Sequence, residues 1–274
     1  MILVTGASGT VGGVVLEALR GRSHAVAAVR EPKDDGQRRF DFARPETFGP
    51  ALDGASALFL MLPPGLSDAR KRFRRMLAEA RRHGVRRVAF LSVRNADRLP
   101  LLPHRALERE IEASGIPWTH LRPNDFMQNF ATVPVYRDGV RAGRLVGPGG
   151  RSRTSYIDAR DVGEAAACVL TQGGHERRAY PLTGPEPLSL TEVADALSSA
   201  LERPVVASTP SPFGFFRHVR RAGAPVPLAV VMTSIGLVAR LGLAKEVDPD
   251  LAQLIGTRPR TINDFACDHA ETWA

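Results

Sequence analysis

Cysteine is nearly absent from this chain, with two in 274 residues. Cys168 lies in the helical run Glu164 to Leu170 and Cys267 sits near the C-terminus. Neither belongs to a CxxC or a ligand cluster, which excludes a disulfide scaffold and leaves two inert thiols. No histidine stands at ligand spacing to another, so no metal is expected. Tyrosine is scarce as well, three in all, and none precedes Tyr136. A membrane-spanning run is also lacking: the apolar stretch Leu228 to Ala239 is about twelve residues long, against the roughly 20 a bilayer requires, and Arg240 ends it. A buried core helix or a helix covering a pocket is the ordinary reading of that stretch; a lid, with Phe213, Phe215 and Phe216 nearby, is a narrower one. Met1 runs directly into an apolar strand, which leaves no room for a secretory leader, and a cytoplasmic location is expected.

Positive charge, by contrast, is plentiful, with 37 Lys and Arg against 29 Asp and Glu, a net +8. Its distribution argues against nucleic acid. Arg70, Lys71, Arg72, Arg74, Arg75, Arg81 and Arg82 surround the apolar Phe73, Met76, Leu77 and Ala80, the pattern of one amphipathic helix with a solvated basic face. No aromatic residues interleave these charges to stack bases. A hydrophobic content of 43% is that of a globular protein, and the length suits one large α/β domain or somewhat more.

The most informative segment is Gly6-Ala7-Ser8-Gly9-Thr10-Val11-Gly12. It follows the apolar run Ile2 to Thr5 and opens the helical pattern from Val14 to Leu19. Glycines at Gly6 and Gly9 let the backbone turn tightly and approach a pyrophosphate, while Gly12 lets helix and strand pack closely. The helix N-terminal amides then face the phosphates. A three-glycine match alone is weak; the strand before it and the helix after it make it a dinucleotide cradle rather than an ordinary turn.

Strand-length apolar runs alternate with helical stretches: Ile2 to Thr5, Ala25 to Arg30, Ala57 to Leu62, Arg87 to Ser92, Trp118 to Arg122, and later Ala179 to Leu182. Such alternation predicts a Rossmann-type, doubly wound parallel sheet, an α/β fold, followed by a smaller and mostly helical C-terminal part. Pro63-Pro64 ends one strand, which brings Leu62 and Pro63 to the carboxyl edge where ligands bind in such sheets. The strand from Ala25 ends at Arg30, eighteen residues after Gly12. An arginine there accommodates a 2′-phosphate and favours NADP, whereas Glu31, one position on, would bond a ribose hydroxyl instead. Asp41 stands where adenine would be contacted, and a turn aspartate explains it equally well. Asp158 and Asp161 read as helix-entry caps.

These segments, together with Val85 to Ser92, Ile111 to Thr119, Leu121 to Asn129, Tyr156 to Val162 and Tyr180 to Pro185, carry a resemblance to the NmrA-like group of atypical short-chain dehydrogenases. The group includes quinone-oxidoreductase-like and ergot-alkaloid-dehydrogenase-like proteins. The resemblance implies a nucleotide-binding domain over 1–130, to which 158–183 returns, and a substrate-binding region over 131–157 and 184–274. It implies cofactor contacts from Ser92, Pro123 and Asn124, and substrate contacts from Phe126, Met127, Tyr156 and Phe213, with Phe126 and Met127 open to a simple core role. One departure matters more than the matches. The Tyr-x-x-x-Lys pair of ordinary dehydrogenases falls on Pro100 and His104. In isoflavone-reductase-like relatives a lone lysine at this offset is the functional residue, which makes His104 the candidate proton donor, against a plain capping or surface role. The expected activity is reduction of a small electron-poor quinone, enone, imine or polyketide-like ketone by NADPH. The alternative is a regulator that binds NADP(H) without turning it over. A small molecule is the expected partner; nucleic acid and membrane are not, and a homo-oligomer is left open.

Overall fold

Nine strands form: β1 (Ile2–Thr5), β2 (Ala25–Val29), β3 (Gln37–Arg39), β4 (Ala57–Met61), β5 (Arg87–Leu91), β6 (Trp118–Pro123), β7 (Arg144–Val146), β8 (Arg178–Leu182) and β9 (Val206–Ser208). The computed structural model describes all 274 residues, which separate into two units.

The first unit comprises Met1–Pro123, Ala159–Leu182 and Asp250–Thr257. Its sheet runs β3-β2-β1-β4-β5-β6-β8 with every neighbouring pair parallel, the doubly wound arrangement expected from the alternating pattern. Helices cover both faces, so the inner strands β1, β2 and β4 are apolar almost throughout rather than alternating. On one face Leu3, Leu58, Leu60, Val88 and Phe90 meet a phenylalanine cluster in which Phe42 and Phe73 stack with centroids 4.8 Å apart. The helices Thr10–Leu19 and Ala159–Thr171 pack together so tightly that a Cβ on Gly163 would lie 2.8 Å from the Val14 carbonyl oxygen. Strand order reverses at β1, which is flanked by β2 and β4, and the crevice at such a switch point opens at the carboxyl ends of the strands.

The second unit comprises Asn124–Asp158, Thr183–Pro249 and Arg258–Ala274. It is mostly helical, with β7 and β9 forming a two-stranded parallel sheet. Its helix Leu190–Leu201 begins with a capping box between Ser189 and Glu192 and packs Val193, Ala194 and Leu197 against Phe130, Phe265 and Trp273. Gly184 is required by a close crossing, since a Cβ there would stand 1.8 Å from the Tyr156 carbonyl oxygen. Of the two ordinary readings of the stretch Leu228 to Ala239, the helix Val226–Arg240 departs from a buried core helix and agrees with one that covers a pocket, which Ile235, Gly236 and Ala239 line. Ala229, Met232, Gly236 and Ala239 face inward, but Val230, Val231 and Leu237 remain about half exposed. No helix is long and apolar enough to cross a membrane.

Candidate functional site

At the carboxyl end of β1 the glycines of the loop divide into two kinds. Gly6 has φ +67, and a Cβ there would overlap the Met61 sulfur at 2.0 Å. Gly12 would put its Cβ 2.2 Å from the Gly6 carbonyl oxygen. Both are needed by the protein itself. Gly9 is not: its φ of −101 and ψ of 174 suit any residue, and the nearest atom to a Cβ would be the Gly6 oxygen at 3.4 Å. The space beside Gly9 is therefore kept clear for something outside the chain. Gly9 is also the N-cap of the helix Thr10–Leu19, with no side-chain cap and no acidic residue in the first turn. The first intrahelical bond is Gly13 N–H to Gly9 O, so the amides of Thr10, Val11 and Gly12 have no acceptor within the helix. Ser8, Gly9 and Thr10 are exposed. A clear, N–H-lined hollow at a helix N-terminus fits the pyrophosphate of a dinucleotide.

Arg30 follows β2, is exposed, and has no partner within the protein; Glu31 is exposed beside it. The strand pairing adds a cation that sequence spacing did not reveal. Val29 stands opposite Arg39 on β3, so two arginines flank the end of β2. Asp41 has a turn-closing role: its Oδ1 accepts from the Ala43 N–H at 2.8 Å and its Oδ2 faces Arg44 at 4.0 Å. Leu62 and Pro63, half-buried after β4, and Pro123, the buried last residue of β6, share the carboxyl edge with the glycine loop.

Ser92 directly follows β5, is buried, and donates from Oγ to Glu108 Oε1 at 2.7 Å. Glu108, fully buried, also accepts from Arg122 Nε and Nη2, each at 2.9 Å, and from Arg105 Nη1 at 2.9 Å. Burial alone would raise its pKa; the hydrogen bonds from Arg122 and Ser92 outweigh it and hold the carboxyl below its ordinary range. His104 lies one turn before Glu108 on the helix Pro103–Ala113, with its ring 6.4 Å from that of Phe90. Burial lowers the His104 pKa and the charge of Glu108 opposes it only in part, so the imidazole is neutral at pH 7. A neutral imidazole has one N–H to offer and one lone pair. His120 is further depressed, to about 4, chiefly by burial, and is inert in that range.

The residues expected to contact substrate scatter within the second unit. Met127 is buried among Phe130, Val140 and Leu145, so its role is packing. Phe213 is 68% exposed and lies under Arg217. Phe126 is half-buried and bridges to Ile157 through the backbone. Asn124, expected at the cofactor, donates from Nδ2 to Ser155 Oγ at 2.8 Å and to the Ala244 carbonyl at 2.7 Å. Tyr156 lines a narrow pocket of about 40 Å³, shared with Asp125, Phe130, Tyr136 and Ile235. Asp125 and Tyr136 were not singled out by the sequence. Asp125 lies within the segment Leu121 to Asn129 and Tyr136 beyond it, and only the folded pocket joins them.

The model of the NmrA-like family matches residues 1–265. An NAD(P)H azoreductase of Xenophilus azovorans is 32% identical, over 98% of both chains. Among solved structures, Citrobacter sp. triphenylmethane reductase complexed with NADP(H) superposes with a TM-score of 0.85 at 26% identity, over 98% of this chain and 99% of that one. The Escherichia coli NADPH-dependent quinone oxidoreductase complexed with NADPH gives 0.86 at 26% identity, with the same coverage.

Proposed function

The chain belongs to the NmrA-like family, and from that premise we propose that it is an NADPH-dependent reductase of small, electron-poor acceptors. Quinones, enones, imines and polyketide-like ketones are the classes in view. The observation that carries the reading is Gly9, a glycine demanded by neither backbone nor packing, at the head of a helix with open amides. Similarity to an azoreductase, a triphenylmethane reductase and a quinone oxidoreductase supports hydride transfer as the chemistry.

The amides of Thr10, Val11 and Gly12 would hold the pyrophosphate, and Arg30, with Arg39 beside it, the 2′-phosphate. Bound there, the cofactor supplies a hydride from its nicotinamide C4. Leu62, Pro63 and Pro123 present apolar surface to that end of the sheet and exclude water from it. His104 replaces the missing Tyr-x-x-x-Lys pair: neutral, it donates a proton to, or orients, the acceptor's heteroatom.

The test is a fluorescence titration of NADPH, followed by NADPH oxidation assayed against a panel of quinones, enones, imines and ketones. Tight binding with turnover on at least one class is expected. Tight binding with no turnover on any, together with a protein partner captured only when NADPH is present, would replace the reductase by a regulator.

A further inference from the structure

A surface helix ordinarily turns charged side chains outward. The helix Val226–Arg240 carries a single one, Arg240, at its last position, and the carbonyls of Pro148 at 2.7 Å and Pro210 at 3.1 Å hold it. The outward stripe is Val226, Val230, Ser234, Leu237 and Leu241, spaced by four, four, three and four, with Val231 to one side. Leu241 is 74% exposed and Val231 54%. Even the hydroxyls of this helix turn back on it: Thr233 Oγ1 donates to the Ala229 carbonyl at 2.8 Å and Ser234 Oγ to the Val230 carbonyl at 2.9 Å. The face is thus apolar from end to end. Every exposed large hydrophobic residue of the protein except Leu101 falls between residues 206 and 247.

The charge beside this stripe is of one sign. Residues 203–245 contain no Asp or Glu. The preceding helix, Pro212–Arg221, shares with it the small core of Phe215, Val219, Ala229 and Met232 and leaves Phe213, Arg217, Arg220 and Arg221 exposed. Arg217 lies over the Phe213 ring at 5.8 Å, Arg220 Nη1 donates to the Ala224 carbonyl just ahead of the stripe, and none of the three arginines meets a carboxylate.

We propose that these two helices form a docking face for an anionic lipid surface, with the apolar stripe at the boundary of headgroups and acyl chains and the arginines on the headgroup anions. Cations beside an apolar face select this occupant. A lipid leaflet offers anions in one plane with hydrocarbon directly beneath, whereas nucleic acid offers the anions alone. A second copy, placed by two-fold symmetry, would bring no acid from residues 203–245 to the arginines. The helix Val226–Arg240 has 15 residues, about 22 Å at its rise per residue, against a hydrocarbon core of roughly 30 Å, so it lies along the surface rather than crossing it. The length that argues against a membrane in the sequence excludes a span and leaves a contact along one face. Arginine stems lie along the apolar layer while their heads reach the anions. The inference stands apart from the reductase reading and needs no cofactor.

The experiment is co-sedimentation of the whole chain with vesicles of phosphatidylcholine alone and of phosphatidylcholine mixed with phosphatidylserine. Binding is expected on the mixture, and it should weaken as salt is raised. Arg217→Gln combined with Arg221→Gln should weaken it roughly 30-fold, the worth of two cations near an anionic surface. Val230→Ser combined with Leu237→Ser should weaken it roughly tenfold or more by removing apolar anchors. All four side chains are exposed, and circular dichroism checks that the variants fold. If the serine pair does not fold, the arginine pair decides alone. No binding to the mixture, equal binding to both kinds of vesicle, or binding unchanged in the arginine pair overturns the proposal. A dimer in sedimentation velocity that the serine pair dissociates, without vesicle binding, would give the face to a second copy instead.

Discussion

Valine at position 9 and alanine at position 12 should have opposite effects, although both add carbon to the same loop. At Gly9 a Cβ meets nothing nearer than 3.4 Å, and the backbone is extended, a conformation valine favours. A poorer N-cap costs a few tenths to about 1 kcal/mol. Fewer unfolded conformations return about 0.4–1 kcal/mol. The two nearly offset, and for a chain of this length Tm should move by no more than about 4 °C. Binding should collapse. The isopropyl group occupies the hollow over the Thr10 to Gly12 amides, and each charge-assisted hydrogen bond lost is worth about 1.5–3 kcal/mol, so losing one weakens NADPH roughly 10- to 150-fold and losing two far more. At Gly12 the added Cβ would lie 2.2 Å from the Gly6 oxygen and 2.7 Å from the Ala7 nitrogen, both backbone atoms. Overpacking of that kind costs about 1–3 kcal/mol. Differential scanning fluorimetry and NADPH fluorescence titration read the two effects. A folded Gly9→Val protein with unchanged NADPH affinity, or a Gly12→Ala protein as stable as the parent, would refute the division of the glycines.

Arg30→Ala should abolish a preference for NADPH over NADH of roughly 10- to 150-fold, the worth of one hydrogen bond to a charged group, and the double variant with Arg39→Ala tests whether β3 shares the load; equal affinities in the parent would shift attention to Glu31. His104→Ala should lower turnover roughly 10²- to 10⁴-fold while leaving NADPH affinity unchanged, and normal turnover would mean the proton comes from water. Glu108→Ala strips Arg122 and Ser92 of their buried partner and should cost about 3–5 kcal/mol by denaturant melts. Because the folded pKa of Glu108 is depressed, its contribution is complete above the ordinary value of 4.5 and is lost as pH falls through the lower folded value. Stability of the parent should therefore drop on the acid side, and Glu108→Gln should flatten that slope; an identical slope in both would remove Glu108 from the account.

What could be read from the chain was what is local or periodic. The strands β1, β4 and β5 announce themselves because sheets covered on both faces are apolar without interruption, and the glycine loop because its three constraints fall within seven residues. The rest depends on contacts that spacing does not encode. Arg39 joins Arg30 only through the β2–β3 register, and Glu108 meets Arg122 only because β6 runs beside its helix. Met127 looked like a pocket wall because it follows β6 by a few residues, but in an irregular segment no period tells which way a side chain points. The helix Val226–Arg240 reads as apolar all round, yet only Ala229, Met232, Gly236 and Ala239 are buried, because one side alone packs on the protein.

Three separate stretches, Met1–Pro123, Ala159–Leu182 and Asp250–Thr257, build the nucleotide-binding unit. During synthesis β6 therefore waits as an open edge until β8 has been made, and the helix Asp250–Ile255, which packs on β8 and on the helix Ala159–Thr171, arrives later still. Open parallel edges are where chains mispair with one another. The unit that contains Met1–Pro123 is thus complete only once residue 257 has been made, and no single cut releases it intact. A premature stop or a protease nick ahead of residue 250 would strip a helix from the unit that begins at Met1, while a fusion partner placed beyond Ala274 leaves all three stretches whole.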